Sequence, residues 1–135
     1  KTAEEVKIKI GAAIPLEEEL RMTIKGRDFI QGLPRSVDIS TNEIVRALDL
    51  ELNQMIKAIK EVLAETPPEL ASDIIDNGII MTGGSSLLRN FADLVFRKTG
   101  VKAKVAEDAL FCVAKGTGIA LDHLNVYKKT IISKR

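Results

Sequence analysis

A chain of 135 residues is long enough for one domain or two small lobes with a sizeable core. With 20 Lys and Arg against 19 Asp and Glu, the formal charge of +1 gives no global attraction to nucleic acid or to an anionic membrane. The single cysteine, Cys112, excludes an internal disulfide, and its "LFCVA" surroundings predict a small buried hydrophobe in a reducing compartment. No stretch approaches the roughly 18 apolar residues of a spanning helix, and residues 1–14 lack a signal-peptide core, so the sequence reads as cytoplasmic. It opens on Lys1 rather than a methionine and reads as a segment of a longer protein.

Thr2 and Glu5 have capping-box spacing, and Ala3, Val6 and Ile10 recur at helical intervals before Gly11, which predicts a short first helix. Beyond a loop through Pro15, Leu20, Met22 and Ile24 alternate with Arg21, Thr23 and Lys25 as on a half-buried strand. "KGRD" supplies a turn signal, Phe29 and Ile30 are expected to continue the sheet, and "QGLP" leads into a strand over Ser36 to Ile39, giving a small antiparallel ribbon. Ser40 and Glu43 form the clearest capping box. Ile44, Leu48, Leu52, Met55, Ile59, Val62 and Leu63 then mark the apolar stripe of a helix about six turns long. Pro67 and Pro68 end that helix, Pro68 can open another, and Asn77 and Gly78 reverse the chain.

Ile79 to Met81 read as a short strand of the kind covered on both faces in an α/β sheet. A helix is expected from Ser86, with Leu87, Leu88, Phe91, Leu94 and Val95 on one side and a stop at Gly100. Val101, Ala103 and Val105 alternate with lysines in a second strand, and Asp108 is the expected cap of a helix through Ala120 and Leu124. Strand, helix, strand, helix implies parallel strands. Two strands make a poor sheet, so others are expected from before Lys1 or from a partner. "VYKKTIISKR" at the end lacks acids and reads as a solvated basic tail too weak to argue for nucleic acid.

Few residues suggest chemistry. In "MTGGSSLL", Gly83 and Gly84 remove side chains where strand gives way to helix, and Ser85 and Ser86 add hydroxyls. A wall for a flat ligand and a plain tight turn both fit that pattern. Gly116 and Gly118 in "AKGTGIA" predict close helix packing, since no phosphate-loop pattern surrounds them. Glu4, Glu5 and Lys7 share the first helix and suit either solvent or one ligand. The lone His123 excludes a histidine-rich metal site and is expected at or near the surface. Asp73 and Asp76 border a turn, and neither serine has an identifiable base, so no catalytic set is present.

"KTAEEVKIKIG" at 1–11, "IKGRDFIQGLPRSVDIS" at 24–40, "TPPELASDIIDNGIIMTGG" at 66–84 and "AEDALFCVAKGTGIAL" at 106–121 together resemble, in order, the C-terminal portion of the bacterial actin-like rod-shape proteins, the MreB family. The resemblance implies an α/β, actin-like ATPase (ribonuclease H-like) fold with an incomplete domain II. Residues 1–66 would form most of its smaller sublobe and residues 67–135 the end of its larger, nucleotide-bearing sublobe. It further implies that Glu4, Glu5 and Lys7 approach the ribose or base edges of ATP. Gly83, Gly84 and Ser85 would form a flat wall against the purine, with Ser86 and Leu87 finishing the turn. Ser85 departs from the third glycine usual in that family, and Ala109 from its usual proline.

By the same resemblance the phosphate-gripping and catalytic residues lie upstream, so this segment alone would neither hold Mg-ATP tightly nor hydrolyse it. The intact protein would be a cytoplasmic ATPase polymerising with itself under the membrane, beside membrane-linked morphogenetic proteins, to organise wall synthesis and cell shape. Two other readings compete with it. A nucleotide-free interaction module would be stabilised only by its partner, and a fragment of a small-molecule kinase of the same superfamily would need a substrate domain upstream.

Overall fold

A computed structural model describes residues 1–132, with side chains described as far as Lys128. In chain order the elements are α1 (Thr2–Ile10), β1 (Arg21–Arg27), β2 (Pro34–Ser40), α2 (Thr41–Glu65), α3 (Pro68–Asn77), β3 (Ile79–Met81), a 3-10 turn (Gly84–Leu87), α4 (Phe91–Thr99), β4 (Ala103–Val105), α5 (Cys112–Asp122) and α6 (Leu124–Ile132). The strands form two separate two-stranded sheets, β1 with β2 and β3 with β4.

The ribbon follows its sequence pattern. β1 and β2 pair antiparallel from Arg21 opposite Ser40 to Arg27 opposite Pro34, and Met22 and Ile24 turn to the half-buried face. Phe29 and Ile30 depart from expectation. They do not extend the sheet but stand fully exposed on the connecting loop, because Asp28 binds the backbone N–H groups of both Ile30 and Gln31 and so turns the chain there. "KGRD" is accordingly strand as far as Arg27.

The loop before β1 is tied to the start of α2. Leu16 N–H donates to Asn42 Oδ1 at 3.1 Å, Leu20 N–H donates to Thr41 Oγ1 at 3.2 Å, and Thr41 N–H returns to the Leu20 carbonyl at 2.9 Å. Thr41 is wholly buried, so its hydroxyl needs these partners. Immediately before it, Ser40 and Glu43 complete the expected capping box, Glu43 Oε2 accepting from Ser40 N–H at 2.8 Å. That bond, first among several influences, holds the Glu43 carboxyl below its ordinary value. The other expected box is absent. Lys1 occupies the cap position of α1, which places Thr2 inside the helix where its side chain caps nothing.

α2 is rotated by about one residue from the predicted stripe. Val45, Leu52 and Ile56 are buried, with Leu48 and Ile59 packed beside them, while Met55 and Val62 are exposed. The core joins Ala13, Leu52, Ile56, Met81, Phe91, Leu94 and Val95, so α1's trailing segment, α2, β3 and α4 share one apolar interior.

β3 and β4 are parallel, Ile79 opposite Ala103 and Met81 opposite Val105, with α4 between them in sequence. The pair is covered on one side only. Met81 is buried, but Ile80 on the opposite face is 61% exposed, contrary to a strand sandwiched on both sides. The helix expected from Ser86 begins instead at Phe91. A 3-10 turn, an isolated bridge at Arg89 and a left-handed Asn90 with φ 58° intervene, which leaves Leu87 outside the core.

The last helices also differ from expectation. Asp108 does not cap α5. It adopts φ 50° and pairs with Lys115, and the helix starts four residues later at Cys112. Cys112 is half-buried rather than core, its Sγ 3.6 Å from the Glu107 carbonyl oxygen. No atom of the described residues lies within 4 Å of a Cβ placed at Gly116 or Gly118, so the expected glycine packing has no partner among them. α5 breaks at His123, which is exposed and lies 3.1 Å through Nδ1 from the Ile119 carbonyl. Of the expected basic tail, Val126 to Ile132 belong to α6, and Ser133 to Arg135 lie outside the described residues.

Gly78 shows where backbone geometry dictates sequence. It closes α3 with φ 78°, and a Cβ there would stand 2.6 Å from the Lys102 carbonyl oxygen, the acceptor of Ile79 N–H. Gly78→Ala is therefore expected to destabilise the chain by more than about 1 kcal/mol in urea unfolding. Gly26→Ala, which meets nothing within 4 Å in β1, is expected to be neutral or stabilising by up to about 1 kcal/mol.

Candidate functional site

The turn after β3 is built from three anchors. Gly83 has φ 83°, a conformation that side-chain-bearing residues rarely adopt, and its N–H donates to the Ala109 carbonyl at 2.8 Å. Ser86 is 3% exposed, and its hydroxyl donates to the Gly83 carbonyl at 2.6 Å while its backbone N–H reaches the same oxygen at 3.3 Å. Leu88 N–H closes the 3-10 turn on the Ser85 carbonyl at 3.2 Å. Ser86 thus holds the loop from beneath. Gly84 and Ser85 face solvent, Gly83 is half-buried, and Leu87 is 55% exposed.

One flank of the turn comes from the loop between β4 and α5. Leu110 Cδ2 would lie 3.3 Å from a Cβ at Gly84, while a Cβ at Gly83 would meet nothing within 4 Å. Asp108 and Lys115 form an ion pair in this flank, and that hydrogen bond raises the Lys115 pKa above its ordinary value.

The other flank comes from α1. Ala12 and Arg89 form an isolated parallel bridge, and Ala13 N–H donates to the Arg89 carbonyl at 2.8 Å. Ala12 is completely buried, so the segment leaving α1 runs directly beside the segment leaving the glycine turn. Val6 and Ile10 fix the inner face of α1, and Glu4, Glu5 and Lys7 lie exposed, in none of the ion pairs formed among the described residues.

The two groups of residues singled out in the sequence are therefore carried by adjoining segments. Within the turn their roles divide: Ser86 is engaged internally, whereas Gly83, Gly84 and Ser85 leave an accessible backbone surface. Ala12, Ala13 and Arg89 were not foreseen. Two consecutive alanines between a glycine and "IP" were the available signal, since small residues permit backbones to approach. Among the described residues no His, Cys, Asp and Glu group could hold a metal ion, and no helix is long and apolar enough to cross a membrane.

Comparison with known proteins gives this arrangement a context. The family model described as MreB/Mbl protein matches residues 1–129. The chain is 41% identical over 133 residues to the cell shape-determining protein MreB of Escherichia coli (strain K12), covering 98% of this chain and 38% of that protein. It is 40% identical over 133 residues to the cell shape-determining protein Mbl of Bacillus subtilis (strain 168), with 98% and 40% covered. The crystal structure of MreB5 of Spiroplasma citri bound to ADP superposes with a TM-score of 0.85 at 40% identity, over 96% of this chain and 39% of that one. A structure of the same protein bound to AMPPNP gives 0.85 at 37% identity, over 97% and 39%. The fold is thus the actin-like α/β architecture, and the chain spans about two-fifths of the length of these relatives.

The anchoring of the turn can be tested by exchanging its two hydroxyls. Ser86→Ala is expected to cost about 1 kcal/mol in urea unfolding and to speed amide exchange at Gly83 and Gly84. Ser85→Ala is expected to stay within about 0.5 kcal/mol of the parent.

Proposed function

The chain belongs to the MreB/Mbl family, and on that premise we propose that it is part of an ATP-dependent, filament-forming cytoskeletal protein that maintains rod cell shape by organising cell-wall synthesis. This segment supplies the adenosine-side wall of the nucleotide cleft and part of the subunit contacts. The observation that carries the reading is the Ala12–Arg89 bridge, which sets the exposed face of α1 next to a turn stripped of side chains.

The residues fit a nucleoside. Gly83 and Gly84 offer a surface where the purine can lie flat, and the space above Gly83 is open. The exposed Ser85 hydroxyl can donate to or accept from a ring nitrogen. Glu4 and Glu5 are acceptors for ribose hydroxyls, and Lys7 is a donor for base or ribose edges. Ser86 and Leu87 shape the turn rather than contact the ligand. The similarity to MreB5, whose solved structures hold ADP and AMPPNP, supports an adenine nucleotide as the occupant.

In the intact protein ATP, with Mg, supplies the phosphoanhydride whose state governs assembly, and other segments grip its phosphates. Those segments also supply the strands that the β3–β4 pair lacks. Residues 1–66 act as the smaller sublobe and 67–135 as the end of the larger one, with filaments forming in the cytoplasm at the membrane.

In the full-length protein, Gly84→Trp is expected to lower ATP affinity at least tenfold or so, by filling the purine wall, and to abolish ATP-promoted pelleting. Thermal unfolding without nucleotide checks that the fold survives. A folded variant with unchanged ATP affinity and pelleting contradicts the assignment.

A further inference from the structure

The hairpin tip and the corner between α2 and α3 bear complementary features that neither uses within the chain. At the tip, Asp28 Oδ1 accepts from Ile30 and Gln31 N–H at 2.9 Å each, and Oδ2 pairs with Arg35 at 3.1 Å. Arg27 Nε donates to the Gly32 carbonyl at 2.8 Å, and Asp28 N–H closes the loop on the Leu33 carbonyl at 2.8 Å. These bonds fix a loop whose Phe29 and Ile30 project fully into solvent. A rigid pair of exposed large apolar side chains loses little entropy on docking, and such surface marks interaction sites.

The corner offers the matching concavity. An open groove of about 440 Å³ is lined by Thr66, Leu70, Asp73, Ile74, Asn77 and Gly78 and is mainly apolar. The charges around the two features are opposite. Residues 21–37 carry Arg21, Lys25, Arg27 and Arg35 against Asp28 alone, whereas residues 61–78 carry Glu61, Glu65, Glu69, Asp73 and Asp76 and no base.

Position decides who fills the groove. The hairpin leads into the start of α2 and the groove opens at its end, 25 residues away. At 1.5 Å per residue that is roughly 37 Å of helix, so the tip cannot reach its own chain's groove. We propose that the Phe29–Ile30 tip of one subunit docks into the Leu70–Ile74 groove of a second copy, a head-to-tail contact that repeats from subunit to subunit. A heterologous contact of this kind, unless it closes into a ring, builds an open filament. The inference rests on the self-assembling role proposed above and names the surfaces that carry it.

The test uses full-length protein whose native cysteines, Cys112 included, are replaced by serine. With Phe29→Cys and Leu70→Cys together, oxidation during assembly is expected to give a ladder of covalent multimers, while each single variant gives dimers at most. Phe29→Asp, at a side chain that packs on nothing in the chain, is expected to raise the critical concentration for pelleting more than about tenfold with an unchanged thermal midpoint. Asp73→Lys is expected to act in the same direction.

Normal pelleting without a ladder, or normal pelleting by Phe29→Asp, overturns this contact and leaves the proposed function standing. Loss of co-sedimentation with anionic vesicles by Phe29→Asp, with assembly intact, overturns it in favour of a lipid-facing tip. A parent protein that does not assemble with or without ATP overturns both.

Discussion

The arrangement depends on one short backbone contact, the parallel bridge between Ala12 and Arg89. It needs a residue without bulk at position 12, because Ala12 has no exposed surface, and an N–H from Ala13 aimed at the Arg89 carbonyl. Ala13 itself enters the core against Leu52, Ile56 and the buried face of α4. The contact therefore joins backbone pairing to apolar packing at one place. Without it α1 would be held mainly by Val6 and Ile10, and the glycine turn would have one flank instead of two.

That contact also shows how far sequence reasoning reaches. The ribbon and the Ser40–Glu43 box were legible because alternation and capping are local signals. β3 and β4 were legible because short β-prone runs sat between glycines. The phase of α2 was not, since Met55 and Val62 are as apolar as Ile56 and only the neighbouring elements decide which side is covered. The start of α4 was hidden because the Arg89 bridge interrupts a run of leucines that by itself reads as helix. Asp108 was misplaced because its side chain had a competing partner, Lys115, seven residues on. At the candidate site the residue types were visible, but the division between Ser86 as anchor and Ser85 as accessible hydroxyl required burial to be known.

Much of the apolar surface has no cover within the described residues. Ile80 on the strand pair and Val113, Ile119 and Leu121 on α5 are all more than half exposed, and Gly116 and Gly118 face open space. A chain spanning about two-fifths of its relatives' length accounts for such faces without further assumption. Phe29 and Ile30 are different in kind, because a dedicated set of hydrogen bonds around Asp28 holds them outward. These bonds also keep the Asp28 carboxyl below its ordinary pKa, the Gln31 and Arg35 contacts acting ahead of the one to Ile30.

The central claim is that α1 and the Gly83–Ser85 surface act as the two sides of one adenosine site. Amide hydrogen exchange on the full-length protein, with and without ATP, tests it most directly. The account predicts that nucleotide slows exchange at Gly84 and Ser85 and along α1 together, with the same concentration dependence. Saturating ATP that leaves both segments unprotected, or protects one of them without the other, would contradict it.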